Sequence, residues 1–81
     1  MLMYGYEKDK GLKIPLELSE ITLSCKKDEL DKIIEFFKNI REESINSKME
    51  DGDHWHYRDY NELWSEKESD LIVFLEENSN N

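Results

Sequence analysis

Basic residues, cysteine, glycine and proline are all scarce in this chain of 81 residues. Lysine and arginine number 11 against 20 aspartates and glutamates, so the formal net charge at pH 7 is −9. We exclude nucleic acids and anionic membranes as partners, because both attract basic surfaces. The 37% hydrophobic content and nine aromatic residues exclude an acidic disordered tail, since they suffice for a small core.

The single cysteine, Cys25, excludes an internal disulfide and is typical of a reducing compartment. The chain starts without the basic and apolar stretches of a signal peptide, and its longest apolar run, residues 71–75, is too short to cross a bilayer. We therefore expect a cytoplasmic protein with Cys25 buried as a small hydrophobe. No phosphate loop, CxxC pair or nucleophile elbow is present, so we expect no catalytic residues and no cofactor.

The acidic residues are concentrated in the second part of the chain. Residues 1–48 contain nine basic and ten acidic residues, a balance of −1, whereas residues 49–81 contain two and ten, a balance of −8. Solubility alone accounts well for scattered acidic charge. Such a concentration also indicates electrostatic complementarity to a basic partner, and the sequence leaves both interpretations open.

The clearest element is a helix predicted over residues 27–45. Its apolar residues with helical spacing are Leu30, Ile33, Ile34, Phe37, Ile40 and Ile45. Acidic residues in the first turns complement the helix dipole. Phe36 lies beside this stripe, so we expect it to pack at the margin of the buried face.

Strands are predicted at residues 2–7, 16–25, 54–58 and 71–75, with turns at 8–11 and 50–53. The apolar alternation of residues 16–25 changes phase, which indicates a bulge, a bend or a strand covered on both faces. The strand at residues 71–75 is apolar throughout, which is typical of a central strand buried on both faces.

The elements follow the order β-β-α-β-β in a single α+β domain of residues 1–81, with a frayed tail at about 77–81. One helix packed on a roughly four-stranded, mainly antiparallel sheet would bury their apolar sides. The helix covers one face of such a sheet and leaves the other to water, a protein partner or a second copy. Leu63 and Trp64, in a polar connection at residues 61–69, are predicted to anchor that connection onto the domain.

His54 and His56 are two residues apart on a predicted strand, so their side chains share a face. Two imidazoles at this spacing can converge on a metal ion, but catalytic zinc needs a third ligand, and Asp53 and Asp59 have the opposite parity. Arg58 continues the row and opposes a nearby cation. Three interpretations remain open: a metal site, a stripe that contacts a partner, and pairing with acids such as Asp53 and Asp59.

The order of motifs resembles the immunity protein 32 group of polymorphic toxin systems over about residues 4–75. The matching segments are Tyr4-Gly5-Tyr6, residues 16–23, Glu29-Leu30, Phe36-Phe37, residues 54–59, Trp64 and residues 70–73. The distinctive part is His-x-His-x-Arg-Asp at 54–59, followed by tryptophan and Asp-Leu-Ile-Val. The chain departs from the group at Lys26-Lys27, where a Ser-Pro type of helix start is expected, and this departure concerns capping.

The resemblance implies a small cytoplasmic protein that neutralises a toxin by binding it, and it transfers no catalytic residue. Candidate partner-binding residues are His54, His56, Arg58, Asp59 and Trp64. The acidic second half favours a basic toxin, such as a nuclease. The alternatives are a metal-binding protein or metal-dependent enzyme centred on His54 and His56, and a homo-oligomeric structural module such as a homodimer.

Overall fold

The computed structural model describes residues 1–8, 14–46 and 53–76. Its elements are β1 (Met3–Gly5), β2 (Leu16–Leu18), α1 (Lys27–Asn46), β3 (His54–His56), a short 3₁₀ helix (Tyr57–Asp59) and β4 (Ile72–Phe74). The α+β class and the order β-β-α-β-β are confirmed, as is the position of the helix. The predicted tail at 77–81 and most of the two predicted turns lie outside the described residues.

The four strands form two antiparallel hairpins, each a separate two-stranded sheet. In the first hairpin β1 pairs with β2, and Tyr4 lies opposite Glu17. In the second hairpin β3 pairs with β4, and Trp55 lies opposite Val73. The prediction of four mainly antiparallel strands is confirmed, and the structure divides them between two sheets.

The core lies between α1 and the second hairpin. Its buried apolar residues are Ile33, Phe36, Ile40 and Tyr57. Phe36 is 1% exposed, and its ring centroid lies 5.5 Å from that of Tyr57 and 5.1 Å from that of Tyr60. The expectation that Phe36 packs at the margin is therefore wrong. The residues that complete the core from the second hairpin and its flanks are Trp55, Trp64, Leu71, Val73 and Leu75.

A second apolar stripe of α1 remains exposed. Leu30, Ile34, Phe37 and Ile45 were predicted to face the core, yet they are 46%, 41%, 45% and 69% exposed. Both stripes have helical spacing, so periodicity alone does not separate them. The hairpin docks on the side that carries Phe36, and this docking decides which stripe is buried.

All four predicted strands end earlier than expected, including β1 at Gly5 and β4 at Phe74. The strand predicted over residues 16–25 ends at Leu18, and residues 20–26 form neither helix nor strand. The change of phase in the apolar alternation marks this end. Cys25 is exposed, so the expectation that it is buried is wrong. The strand predicted over 54–58 ends at His56, and Arg58 lies in the 3₁₀ helix instead of continuing the row of histidines.

The expectation that residues 71–75 form a strand buried on both faces is also wrong. Val73 is half-buried, whereas Ile72 and Phe74 on the other face are 51% and 57% exposed. Because the two hairpins do not join, β4 pairs with β3 alone. Within the described ranges, no helix is long and apolar enough to cross a membrane.

Candidate functional site

Asp70 contacts residues 54–59, the segment that carries most of the predicted site residues. Its Oδ2 lies 2.7 Å from His56 Nδ1 and 3.8 Å from Arg58 Nε. Its Oδ1 accepts hydrogen bonds from the backbone N–H groups of Arg58 and Leu71, both at 3.0 Å. The Asp70 side chain is only 16% exposed, so these bonds replace the water that a carboxylate would otherwise bind. Asp70 therefore fixes the end of β3 against the start of β4.

The two histidines share a face, as predicted from their spacing. Their ring centroids are 5.2 Å apart, with an interplanar angle of 71°. The acid that pairs with His56 and Arg58 is Asp70, which sequence reasoning did not consider. The sequence signal that could have pointed to Asp70 was its position at the start of the Asp-Leu-Ile-Val segment. Among the residues that the structure describes, no three His, Cys, Asp or Glu side chains are grouped to hold a metal ion.

The second hairpin presents one face to solvent. In the β3–β4 register, His54 lies opposite Phe74, and His56 lies opposite Ile72. Strand alternation places these four side chains on the side away from Trp55 and the core, and we call them the outer face. Ile72 and Phe74 are more than half exposed, so the outer face combines apolar surface with two imidazoles. Such a surface has binding chemistry, because it offers apolar area that a partner can bury.

Exposed carboxylates occur throughout the same part of the chain. Residues 53–76 contain seven acidic residues and two basic ones. The acidic residues with exposed side chains there are Asp59, Glu62, Glu66, Glu68 and Glu76. None of these five takes part in the ion pairs found between described residues, whereas Arg58 is paired with Asp70. This region therefore has a negative surface that its own cations leave largely uncompensated.

Trp64 anchors its connection onto the core, as predicted, whereas the same expectation for Leu63 is wrong because Leu63 is 76% exposed. The Trp64 indole packs against the core, and Nε1 donates a hydrogen bond to the backbone oxygen of Ser69 at 3.0 Å. The bond closes the connection between the 3₁₀ helix and β4. Asp59 lies in the exposed part of that helix. Of the five predicted candidates, Trp64 thus lies against the core, and the other four lie within or just after β3.

A buried polar cluster beneath the second hairpin was missed from the sequence. Tyr57 Oη donates to Glu29 Oε2 at 2.6 Å. Asn61 Nδ2 donates to both partners, at 3.3 Å to Glu29 and 3.2 Å to Tyr57 Oη. Burial, together with the neighbouring Glu29 carboxylate, raises the pKa of Tyr57 to about 12. The cluster ties the first turn of α1 to the segment after β3.

A second polar link lies further along α1. Glu43 accepts hydrogen bonds from the Trp55 indole N–H and from Tyr60 Oη, the latter at 3.4 Å. Burial and the charge of Glu43 raise the pKa of Tyr60 above its usual value. With Glu29, this residue gives α1 two carboxylates that hold the second hairpin. Acidic residues at helical spacing were the only sequence signal for this role.

Comparison with known protein families gives a match over the part of the chain that carries these features. A family model described as Immunity protein 32 matches residues 20–79. The chain belongs to the immunity protein 32 family. The match spans α1 and the second hairpin, and the first hairpin lies outside it. Membership implies toxin neutralisation by binding a cognate toxin, and immunity proteins are typically non-enzymatic. No curated protein and no solved structure matches the chain.

Proposed function

We propose that this immunity protein 32 member neutralises a basic toxin, such as a nuclease, through the outer face of the second hairpin and the carboxylates around it. The observation that carries the proposal is their combination: exposed Ile72 and Phe74 lie in the part of the chain with five exposed acidic side chains outside any described ion pair. A solvated acidic surface needs no apolar centre, whereas a protein interface typically has an apolar centre and a polar rim.

The two components have different roles in binding. The negative surface accelerates the encounter with a positively charged partner and disfavours acidic ones. Burial of Phe74 and Ile72 slows dissociation, because large apolar side chains at the centre of an interface contribute most of the affinity. Family membership supports the direction of this argument, since immunity proteins act by binding their toxins.

The predicted partner-binding residues have distinct places in this proposal. His54 and His56 belong to the outer face, and Asp70 orients the imidazole of His56. Asp59 contributes to the acidic rim. Arg58 positions Asp70, and Trp64 supports the connection beneath the rim.

A binding measurement with the cognate toxin tests the proposal. Phe74→Ala is expected to weaken binding at least about tenfold, because truncation of an interface anchor costs more than about 1.4 kcal/mol. Tyr4→Ala is the matched control, because Tyr4 and Phe74 are both aromatic, both 57% exposed and both on a hairpin strand. The control is expected to bind as the unchanged protein does.

The same titration at increasing salt tests the electrostatic part. Added salt is expected to weaken the complex mainly through slower association. Equal effects of Phe74→Ala and Tyr4→Ala would reject the outer face as the interface. Affinity independent of salt would reject the basic partner.

A further inference from the structure

The segment between β2 and α1 has few backbone hydrogen bonds to other described residues. Residues 20–26 form neither helix nor strand, and every residue from 19 to 28 is exposed. Across the described residues, the one backbone hydrogen bond shown for this segment is accepted by the Lys26 carbonyl from the N–H of Leu30, and it belongs to the helix start. The preceding six residues have no backbone–backbone hydrogen bond to another described residue.

The same segment has the side-chain pattern of a strand. Ile21, Leu23 and Cys25 alternate with Thr22 and Ser24, the pattern of a half-buried strand. The structure leaves Ile21 47% and Leu23 50% exposed, so the apolar side is not covered. A segment with strand composition and an unpaired backbone is a template for pairing with another chain.

We propose that residues 20–26 pair antiparallel with the same segment of a second copy, so that the chain forms a two-fold symmetric homodimer. A two-fold axis at Leu23 places this residue opposite its own counterpart and Ile21 opposite Cys25 of the second copy. It also places Glu20 opposite Lys26, twice in the dimer. The register joins the apolar sides on one face and sets opposite charges directly across from each other, both of which stabilise antiparallel pairs.

The charge distribution favours a second copy as the occupant. Residues 1–48 have a balance of −1, whereas residues 49–81 have a balance of −8. The segment itself contains one acidic and one basic residue, Glu20 and Lys26, so two copies of it can pair without net charge repulsion between the paired segments. In the stated register the segment is also complementary to itself, as a two-fold symmetric interface requires. Pairing with an unrelated chain would not require this property.

Sedimentation equilibrium of the chain alone, at tens of micromolar, tests the proposal. The unchanged protein is expected to be a dimer. Leu23→Glu places two like charges across the axis and is expected to give a monomer. Leu63→Glu is the matched control, because it introduces the same charge at a leucine that is 76% exposed outside the segment, and it is expected to remain dimeric.

Charge reversal tests the register itself. Glu20→Lys or Lys26→Glu alone turns two attractive pairs into two repulsive ones and is expected to weaken the dimer about tenfold. The double variant restores opposite charges and is expected to recover the dimer. Circular dichroism of each variant checks that the exposed substitutions leave the fold intact.

A monomer for the unchanged protein would overturn the proposal, as would a dimer indifferent to Leu23→Glu or a double variant that does not recover. Capture of the segment by the toxin, with the chain alone monomeric, would overturn it as well. Because the experiment contains no toxin, its result is separate from that of the proposed function.

Discussion

Tyr57 and Asp70 each connect elements that lie far apart in the chain. Tyr57 joins the second hairpin to Glu29 on α1, and Asp70 joins β4 to the end of β3. Neither cluster leaves a buried atom unpaired: in the described part of the chain, every buried side-chain nitrogen and oxygen has a hydrogen-bond partner. Removing one partner from such a cluster costs more than removing a surface contact, because the remaining groups lose both water and their bond.

Tyr57 is expected to make the protein less stable at alkaline pH. Burial and Glu29 raise its pKa from 10.0 to about 12, so the folded protein keeps a proton that the unfolded chain releases. The stabilisation is complete below about 10 and is lost as pH rises towards about 12. Urea unfolding of Tyr57→Phe across this range should show a weaker loss with pH than the unchanged protein.

The same substitution is expected to cost about 1–2 kcal/mol at neutral pH, because Glu29 and Asn61 lose the Tyr57 hydroxyl. Tyr6→Phe serves as the control, since Tyr6 is 62% exposed. If both variants followed the unchanged protein in their dependence on pH, Tyr57 would not be the responsible group.

Asp70 is expected to contribute to stability as well as to the shape of the outer face. Asp70→Ala removes the acceptor of two backbone N–H groups and the partner of His56, at an expected cost of about 2–3 kcal/mol. Asp59→Ala, at an exposed position, should change the free energy of unfolding by less than about 0.5 kcal/mol. Chemical denaturation of the two variants measures the difference, and equal costs would contradict the role given to Asp70.

At the scale of elements, the helix has two apolar stripes and buries only one of them. The buried stripe contains Phe36, and the exposed stripe contains the adjacent Phe37. The rings of these two residues lie 5.8 Å apart between centroids, yet their exposed fractions are 1% and 45%. Neighbouring positions on a helix face different directions, so two residues of the same type differ greatly in what they bury.

Phe36→Ala and Phe37→Ala form a matched pair for this assignment. Truncation of Phe36 leaves a cavity and is expected to cost about 3–5 kcal/mol, whereas truncation of Phe37 should cost less than about 1 kcal/mol. Thermal and urea unfolding measure both. If Phe36→Ala does not fold, Phe36→Leu supplies a milder change with an expected cost of about 1–2 kcal/mol. A larger cost at Phe37 would indicate that the helix is turned the other way.

At the scale of the whole molecule, the two hairpins contribute differently to the fold. Every residue of the described core comes from residues 33–75, and the family match begins at residue 20. Among its described residues, the first hairpin supplies no core residue, and it touches the rest of the structure through contacts such as the hydrogen bond from Lys8 Nζ to the Lys67 backbone oxygen. We therefore expect the core to form without the first hairpin.

Removal of residues 1–18 is expected to leave the core folded. The loss in free energy of unfolding should stay below about 1.5 kcal/mol, because none of the described residues that are removed is a buried apolar side chain. Near-ultraviolet circular dichroism, which reports Trp55 and Trp64, and urea unfolding of the shortened chain measure this. Loss of the tryptophan signal would show that the first hairpin is required for the core.

Local features of the sequence determined the class of fold, the order of elements and the extent of α1. Helical spacing, strand alternation and turn residues act over a few positions, so they can be read without knowledge of distant contacts. The uneven charge is equally a property of composition. The tertiary structure decided what depends on distant contacts: which stripe of α1 is buried, that the strands form two hairpins, and that Asp70 pairs with His56. These outcomes follow from where the second hairpin docks, and residues far apart in the chain meet only once that docking has occurred.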